Sequence, residues 1–186
     1  MIILKFGGTS VGNSNRIKSV ASILKKRFGK SGKAIVVVSA FAGVTDDLIK
    51  VSKAAAKGDV NFRKLSDQIN ERHLNVINSL IPLKKRKSVL SEFKVTLNEL
   101  DEVLHGVFLV KELSARTLDF VMSFGERLSA FIISNYLSST GSKAEFVDTR
   151  KLIITDDSFG NAKVDFVLSN KKIKKAFANS RGLKIV

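Results

Sequence analysis

The sequence predicts an α/β protein built on a mostly parallel sheet. Two short apolar runs, Ile2–Phe6 and residues 34–40, lack the alternation of a half-exposed strand, so we expect both to be buried strands. Between them, residues 15–28 carry apolar side chains at i, i+3, i+4 spacing, which predicts a helix with one apolar face. Strands separated by a helix are typical of parallel sheets with right-handed crossovers.

The rest of the chain is predicted to be largely helical. Apolar periodicity and glycine or proline stops predict the following elements: helices at 46–57, 62–80, 90–104, 114–139 (broken at Gly125) and 169–178, and strands at 145–147 and 183–186. The last run reads as the opening of another buried strand. We therefore expect the chain to be a fragment of a longer domain.

Composition excludes several classes of protein. An apolar fraction of 44% and a single proline predict a folded domain. The chain has no cysteine, which excludes disulfides and thiolate metal sites and fits a cytoplasmic protein. The longest stretch without a charged residue, 128–142, is shorter than the ~20 residues of a membrane span.

The net charge of +15 suggests anionic partners. Its densest clusters are 84–87 (KKRK) and 171–175 (KKIKK). The first cluster follows Pro82 at a predicted turn and the second lies on a predicted helix, and neither is interleaved with aromatic residues that could stack on bases, so solvated faces are favoured over nucleic-acid binding. The two histidines, His73 and His105, lack a second ligand at metal-binding spacing, and we expect packing or surface roles for them.

The loop after the first strand, "KFGGTSVGNS" (5–14), almost fits a P-loop, but Asn13 stands where that motif has lysine. We expect Lys5 to emerge at the carboxyl end of its strand, where open α/β sheets bind ligands. Gly7 and Gly8 allow backbone N–H groups to approach an anion, and a helix follows. The loop predicts phosphate binding; the alternative is a lysine that reaches solvent beside a tight turn.

Two further stretches carry polar groups into apolar surroundings. "SAFAGVTDDL" (39–48) offers the hydroxyls of Ser39 and Thr45, and Thr45 also fits a helix N-cap. "SFGERLSA" (123–130) places Glu126 among apolar residues, where a carboxylate requires a cation. That cation could be Arg127, Arg116 or the ammonium of a ligand, and a structural ion pair is slightly favoured.

The motifs "KFGGTSVG", "VVVSAFAGVTDDL", "SFGERLSA" and "ITDDSFGNAKVD", in this order, resemble the N-terminal part of the aspartokinases, within the amino acid kinase superfamily. The resemblance covers the whole chain and implies a three-layer αβα fold. Relatives that act on glutamate, carbamate or UMP share the lysine and glycines but lack the GER element. The resemblance implies ATP-dependent phosphorylation of the β-carboxylate of L-aspartate to 4-phospho-L-aspartate, the first step of lysine, threonine and methionine synthesis.

On the phosphate side, the resemblance implies that Lys5 neutralises charge on the transferring phosphoryl group. It assigns supporting backbone contacts to Gly7, Gly8 and Thr9. A β-carboxylate with a pKa near ~4 is already ionised at neutral pH, so the reaction requires no general base.

On the substrate side, the resemblance implies that Glu126 receives the α-ammonium of aspartate. Ser39 and Thr45 would help to hold the substrate carboxylate. Arg150 and Phe159 correspond, more loosely, to residues near the family's substrate pocket.

The sequence also departs from the aspartokinase pattern. It contains neither the second glycine-rich element, of the G-R-G-G-S-D type, nor the nucleotide-binding half and ACT regulatory domains that follow it in the family. We therefore expect residues 1–186 to be a truncated amino-acid-binding lobe that is inactive alone. ATP and Mg²⁺ would require the missing half, and the full-length enzyme would be a homo-oligomer.

Three other interpretations remain open at this stage. The first is a non-catalytic module that binds aspartate or dimerises through the apolar stripe at 90–104. The second is another member of the amino acid kinase superfamily. The third is a basic nucleic-acid-binding protein.

Overall fold

A computed structural model describes residues 2–30 and 32–186. Within these residues, four strands form one sheet: β1 (Ile2–Phe6), β2 (Ala34–Val38), β3 (Ala144–Phe146) and β4 (Leu183–Ile185). Their order is β1-β2-β4-β3, and every neighbouring pair is parallel. The predicted parallel α/β fold is confirmed.

The described helices agree with the sequence periodicity, except that the helix predicted at 90–104 runs from Leu83 to Val110 and so includes the basic cluster at 84–87. They are α1 (Gly8–Val11), α2 (Ser14–Phe28), α3 (Val44–Ala56), α4 (Phe62–Leu80), α5 (Leu83–Val110), α6 (Ala115–Ser139) and α7 (Phe166–Phe177). Side-chain caps define several of the starts: Asn13 accepts from the Arg16 amide, and Ser114 accepts from the Thr117 amide. Only the four-residue α1 and the 3₁₀ turn Thr149–Lys151 have no counterpart in the predicted elements.

The prediction that β1 is a buried strand is wrong. Its side chains Ile2 and Ile3 are 43% and 63% exposed. The reason is its place at the edge of the sheet, where it pairs with β2 alone. The predicted strand at 183–186 instead lies inside the sheet, with Leu183 and Ile185 buried between β2 and β3.

The predicted break in α6 at Gly125 is also wrong, because the helix runs without interruption from Ala115 to Ser139. The glycine serves a close contact. A Cβ at Gly125 would lie 2.7 Å from the Cβ of Ala40, in the loop after β2. This contact brings α6 against the carboxyl edge of the sheet.

The apolar stripe of α5 belongs to the core. Phe93, Leu97, Leu100 and Leu104 are at most 5% exposed, and α5 packs against α3, α4 and α6. The stripe is therefore not free to form a subunit contact, and that interpretation is wrong. None of the described helices is both long and apolar enough to cross a membrane.

Candidate functional site at the carboxyl edge of the sheet

Two loops leave neighbouring strands at the same edge of the sheet. Loop 1 (residues 7–13) follows β1, and loop 2 (residues 39–43) follows β2. Lys5, paired in register with Val37, is exposed just before loop 1. The four-residue α1 lies within loop 1, and the predicted helix, α2, begins at Ser14 directly after the loop, so its N-terminal end faces this edge of the sheet.

The two loops are in direct contact. A Cβ at Gly8 would lie 2.8 Å from the Ala40 carbonyl oxygen, and the Ser39 amide donates to the Phe6 carbonyl at 3.1 Å. Gly8 is therefore required by the packing of one loop on the other. At Gly7 an added Cβ would meet no atom within 4 Å, so this backbone borders open space that a ligand can enter.

Helix α6 brings the third motif to loop 2. The Ala40 amide donates to Glu126 Oε1 at 3.4 Å, and the Ser129 hydroxyl donates to the Ser39 carbonyl at 2.8 Å. Gly125, Glu126 and Ser129 share one face of the helix. Sequence reasoning missed Ser129, although its spacing from Gly125 and Glu126 would have revealed it.

Glu126 has no ionic partner among residues 2–30 and 32–186. Arg127 pairs with Glu99 on α5, with Nη2 and Oε2 2.7 Å apart, and Arg116 lies over the ring of Phe159 at 5.5 Å. The structural ion pair favoured from the sequence is therefore wrong. The expectation that this carboxylate requires a cation is wrong as well, because Glu126 is exposed to solvent; its carboxylate is open to the ammonium of a ligand.

Glu126 lines a cavity of about 230 Å³ together with Arg127, Asp148 and Arg150. Arg150 holds Asp148 through Nε (3.0 Å) and Nη2 (2.6 Å). Burial by itself would raise the pKa of Asp148, but the hydrogen bonds and charge of Arg150, helped by Arg127, hold that pKa below its usual value. The pocket thus contains alternating fixed charges, of which Glu126 is the unpaired one.

Arg150 also lines a neighbouring cavity of about 680 Å³, together with Phe159 and Arg116. The loop that carries Phe159 is fastened to α6, because the Gly160 amide donates to Asp119 Oδ2 at 2.7 Å. The structure therefore brings Arg150 and Phe159 into one cleft beside Glu126. Sequence reasoning gave no role to Asp119.

Thr45 is not the N-cap of α3. The cap is Gly43, whose φ of +84° favours glycine and whose carbonyl accepts from the Asp47 amide at 3.0 Å. The helix therefore begins at Val44, and Thr45 lies half-buried in its first turn. Thr9 is exposed in α1.

His73 packs beneath loop 2, as the sequence suggested. Its ring is fully buried and stacks on Phe41, with centroids 4.9 Å apart. Burial lowers the pKa of His73 to about 4, against the opposing effect of its hydrogen bond to the Ile69 carbonyl. A neutral histidine thus supports the loop.

Together, the fold and these contacts define a parallel α/β protein with a candidate site at the carboxyl edge of its sheet. There, loop 1, which follows Lys5, and the unpaired carboxylate of Glu126 both contact loop 2. The model of the amino acid kinase family matches residues 1–186, and the chain belongs to this family.

The chain is also similar in sequence to curated aspartokinases. The chain is 28% identical over 175 residues (94% of its length) to bifunctional aspartokinase/homoserine dehydrogenase 1 of Zea mays. It is 33% identical over 166 residues (87% of its length) to aspartokinase 1 of Arabidopsis thaliana. Both of these plant proteins are chloroplastic. The chain spans 19% of the maize protein and 28% of the Arabidopsis one.

Solved structures confirm the fold. E. coli aspartokinase III in complex with aspartate and ADP matches 99% of the chain with a TM-score of 0.82 at 24% identity. The same enzyme in complex with lysine and aspartate matches with a TM-score of 0.83. The chain covers 39% and 40% of these two E. coli chains. The resemblance to the N-terminal part of an aspartokinase catalytic domain, inferred from the sequence, is confirmed.

Proposed function

We propose that this chain is the amino-acid-binding lobe of an aspartate kinase, a phosphotransferase with a carboxyl acceptor that converts L-aspartate and ATP into 4-phospho-L-aspartate and ADP. In this role it would serve the first step of lysine, threonine and methionine synthesis. The observation that carries the proposal is the unpaired carboxylate of Glu126, in contact with the loop that also touches the lysine–glycine loop. The aspartokinase relatives supply the reaction.

The charges of the site suit an amino acid with a second carboxylate. Glu126 would accept the α-ammonium in a charge-assisted hydrogen bond, because its carboxylate is exposed and has no ionic partner among the described residues. The β-carboxylate would lie toward Ser39, Thr45 and Lys5. Arg150 and Phe159, in the adjoining cleft, would close the substrate end of the pocket.

In the proposed reaction, a β-carboxylate oxygen forms a bond to the γ-phosphorus while the bond from this phosphorus to the β,γ-bridging oxygen breaks and ADP leaves. No proton has to be removed, because the carboxylate is already ionised at neutral pH. The remaining task is alignment and charge stabilisation. Lys5 would neutralise the phosphoryl oxygens, with backbone contacts from Gly7, Gly8 and Thr9.

In the proposed enzyme, ATP and Mg²⁺ would be held outside this lobe, which spans 28% of its Arabidopsis relative, and we expect the lobe alone to lack kinase activity. The described residues gather no group of three His, Cys, Asp or Glu side chains that could hold a metal ion. A cytoplasmic location and a homo-oligomeric full-length enzyme remain predictions.

Titration of L-aspartate into the isotopically labelled chain, followed by amide NMR, tests the proposal. We expect saturable shifts at Ala40, Thr45 and Glu126. Glu126→Gln should abolish them, whereas Glu102→Gln, the same change at an exposed position on α5, should leave them intact.

Succinate provides the matched ligand control, because it keeps both carboxylates and lacks the ammonium. If Glu126 receives the ammonium, succinate should bind more weakly than aspartate to the wild-type chain, and Glu126→Gln should not weaken it further. Equal aspartate shifts in the wild-type and Glu126→Gln chains would refute the assignment.

A further inference from the structure

Arg72, on α4, contacts both loops of the site. Its Nη2 atom donates to the Ala42 carbonyl of loop 2 at 2.8 Å and to the Gly12 carbonyl of loop 1 at 3.4 Å. An Nη nitrogen of arginine carries two hydrogens, so one nitrogen can serve both acceptors. The two carbonyls lie 30 and 60 positions from Arg72 in the sequence.

This contact adds to close packing between the loops. Gly8 packs on the Ala40 carbonyl, and a Cβ at Gly12 would lie 3.5 Å from the Cβ of Ala42. Packing alone is not directional, whereas the hydrogen bonds from Arg72 to the Gly12 and Ala42 carbonyls are, so Arg72 helps to fix the relative orientation of the two loops.

The residue that follows Arg72 anchors the same loop from the other side. His73 lies under the ring of Phe41, with the two rings within 16° of parallel. Helix α4 therefore holds Phe41 by its ring and Ala42 by its carbonyl. The chain then turns at Gly43 into the first turn of α3, which carries Thr45.

We propose that Arg72 is a positioning residue that locks the lysine–glycine loop and the Thr45 loop into one arrangement, so that both act on the same ligand. It does not touch the ligand itself. Its charge makes both hydrogen bonds stronger than those of a neutral donor. Among the described residues Arg72 forms no ion pair within 4 Å, so its guanidinium is committed to these carbonyls.

Arg86, on α5, offers a matched control. It also donates from Nη2 to two backbone carbonyls, those of Asn78 (2.7 Å) and Ile81 (3.0 Å). Both of its acceptors lie around the C-terminal end of α4 and not in loops 1 and 2. Arg86→Gln therefore removes the same chemistry without loosening the two loops.

Amide hydrogen exchange in the 186-residue chain measures the lock directly. Ser10 in loop 1 donates to the Gly7 carbonyl, and Val44 beside loop 2 donates to the Phe41 carbonyl. In Arg72→Gln we expect the protection of these two amides to fall about tenfold relative to amides within α6. In Arg86→Gln the protection of these two amides relative to amides within α6 should stay unchanged.

Arg72→Lys keeps the charge but loses the planar two-hydrogen nitrogen, so we expect a smaller loss of about threefold. This variant also serves if Arg72→Gln does not fold. Unchanged protection of both loop amides in the substituted chains, or an equal loss in Arg86→Gln, would overturn the proposal.

The aspartate titration adds a readout that rests on the proposed function. In Arg72→Gln the dissociation constant for L-aspartate should rise about tenfold, and in Arg72→Lys it should rise by less. Aspartate affinity that is unaffected by Arg72→Gln would overturn the positioning role. If the wild-type chain binds no aspartate, the proposed function fails, and the exchange ratio alone decides whether Arg72 locks the loops.

Discussion

Gly125→Ala probes the contact that brings Glu126 to the edge of the sheet. The new Cβ would lie 2.7 Å from the Cβ of Ala40, whereas ordinary contacts begin at 3.4 Å. The obstructing atom is fixed to the backbone of loop 2, so it cannot rotate away. Either α6 or loop 2 must shift to relieve the overlap.

Two effects of opposite sign determine how the free energy of unfolding changes in Gly125→Ala. Alanine is favoured over glycine inside a helix by about 1 kcal/mol. Overpacking a well-filled site costs about 1–3 kcal/mol. We therefore expect the free energy of unfolding to fall by up to about 2 kcal/mol in Gly125→Ala.

Gly106→Ala isolates the first effect. Gly106 also lies within a long helix, α5, but a Cβ there would meet no atom within 4 Å. This control should be stabilised by about 1 kcal/mol. The gap between the two variants should therefore be about 1–3 kcal/mol, which is the cost of the overlap alone.

Urea unfolding followed by circular dichroism measures both free energies. A Gly125→Ala chain as stable as Gly106→Ala would refute the reasoning, because the close approach of α6 to loop 2 would then carry no cost. A shifted loop 2 should also weaken aspartate binding in Gly125→Ala and leave it unchanged in Gly106→Ala.

The unfolding free energy should fall by about 3 kcal/mol from pH 7 to pH 4, because burial lowers the pKa of His73 to about 4 while the unfolded chain takes up the proton near 6.5. Urea titrations at several pH values check this, and His73→Phe should remove this contribution. Ser129→Ala should cost about 1–2 kcal/mol, because its hydroxyl donates to the loop carbonyl just after β2. Ser134→Ala, which loses a bond within its own helix, should cost less in the same assay. Leu97→Asp should unfold the chain, because this side chain is 5% exposed, whereas Val95→Asp, at a side chain that is 69% exposed, should leave the fold and the light-scattering mass unchanged.

Each of these predictions has a contrary outcome. An unfolding free energy that stays level down to pH 4 in the wild-type chain would mean that His73 takes up its proton in the folded state. Equal losses in the two serine variants would remove the special role of the bond to loop 2. A folded but dissociated Leu97→Asp chain would restore the subunit-contact interpretation of the α5 stripe.

The sequence predicted the elements well because their signals are local. The periodicity of α2 and α4, and the apolar runs of β2 and β4, depend only on which residues follow one another. The quoted motifs likewise pointed to Lys5, the glycines and Glu126, whose roles in binding remain a prediction. Local patterns also explain the errors: β1 has the composition of a buried strand, but whether a strand has neighbours on both sides depends on the whole sheet.

The sequence by itself determined that this chain is a parallel α/β protein of the amino acid kinase type, with a lysine–glycine loop and a GER element. Only the tertiary structure decided which charges pair. Arg127, adjacent to Glu126 in sequence, turns to Glu99 on another helix, and this leaves Glu126 open to a ligand. The tertiary structure likewise showed that Gly125 permits contact rather than a break, and that Arg72 joins two distant loops. The physical reason is that ion pairs, close contacts and carbonyl bonds are set by distances between segments far apart in the chain, which residue order does not specify.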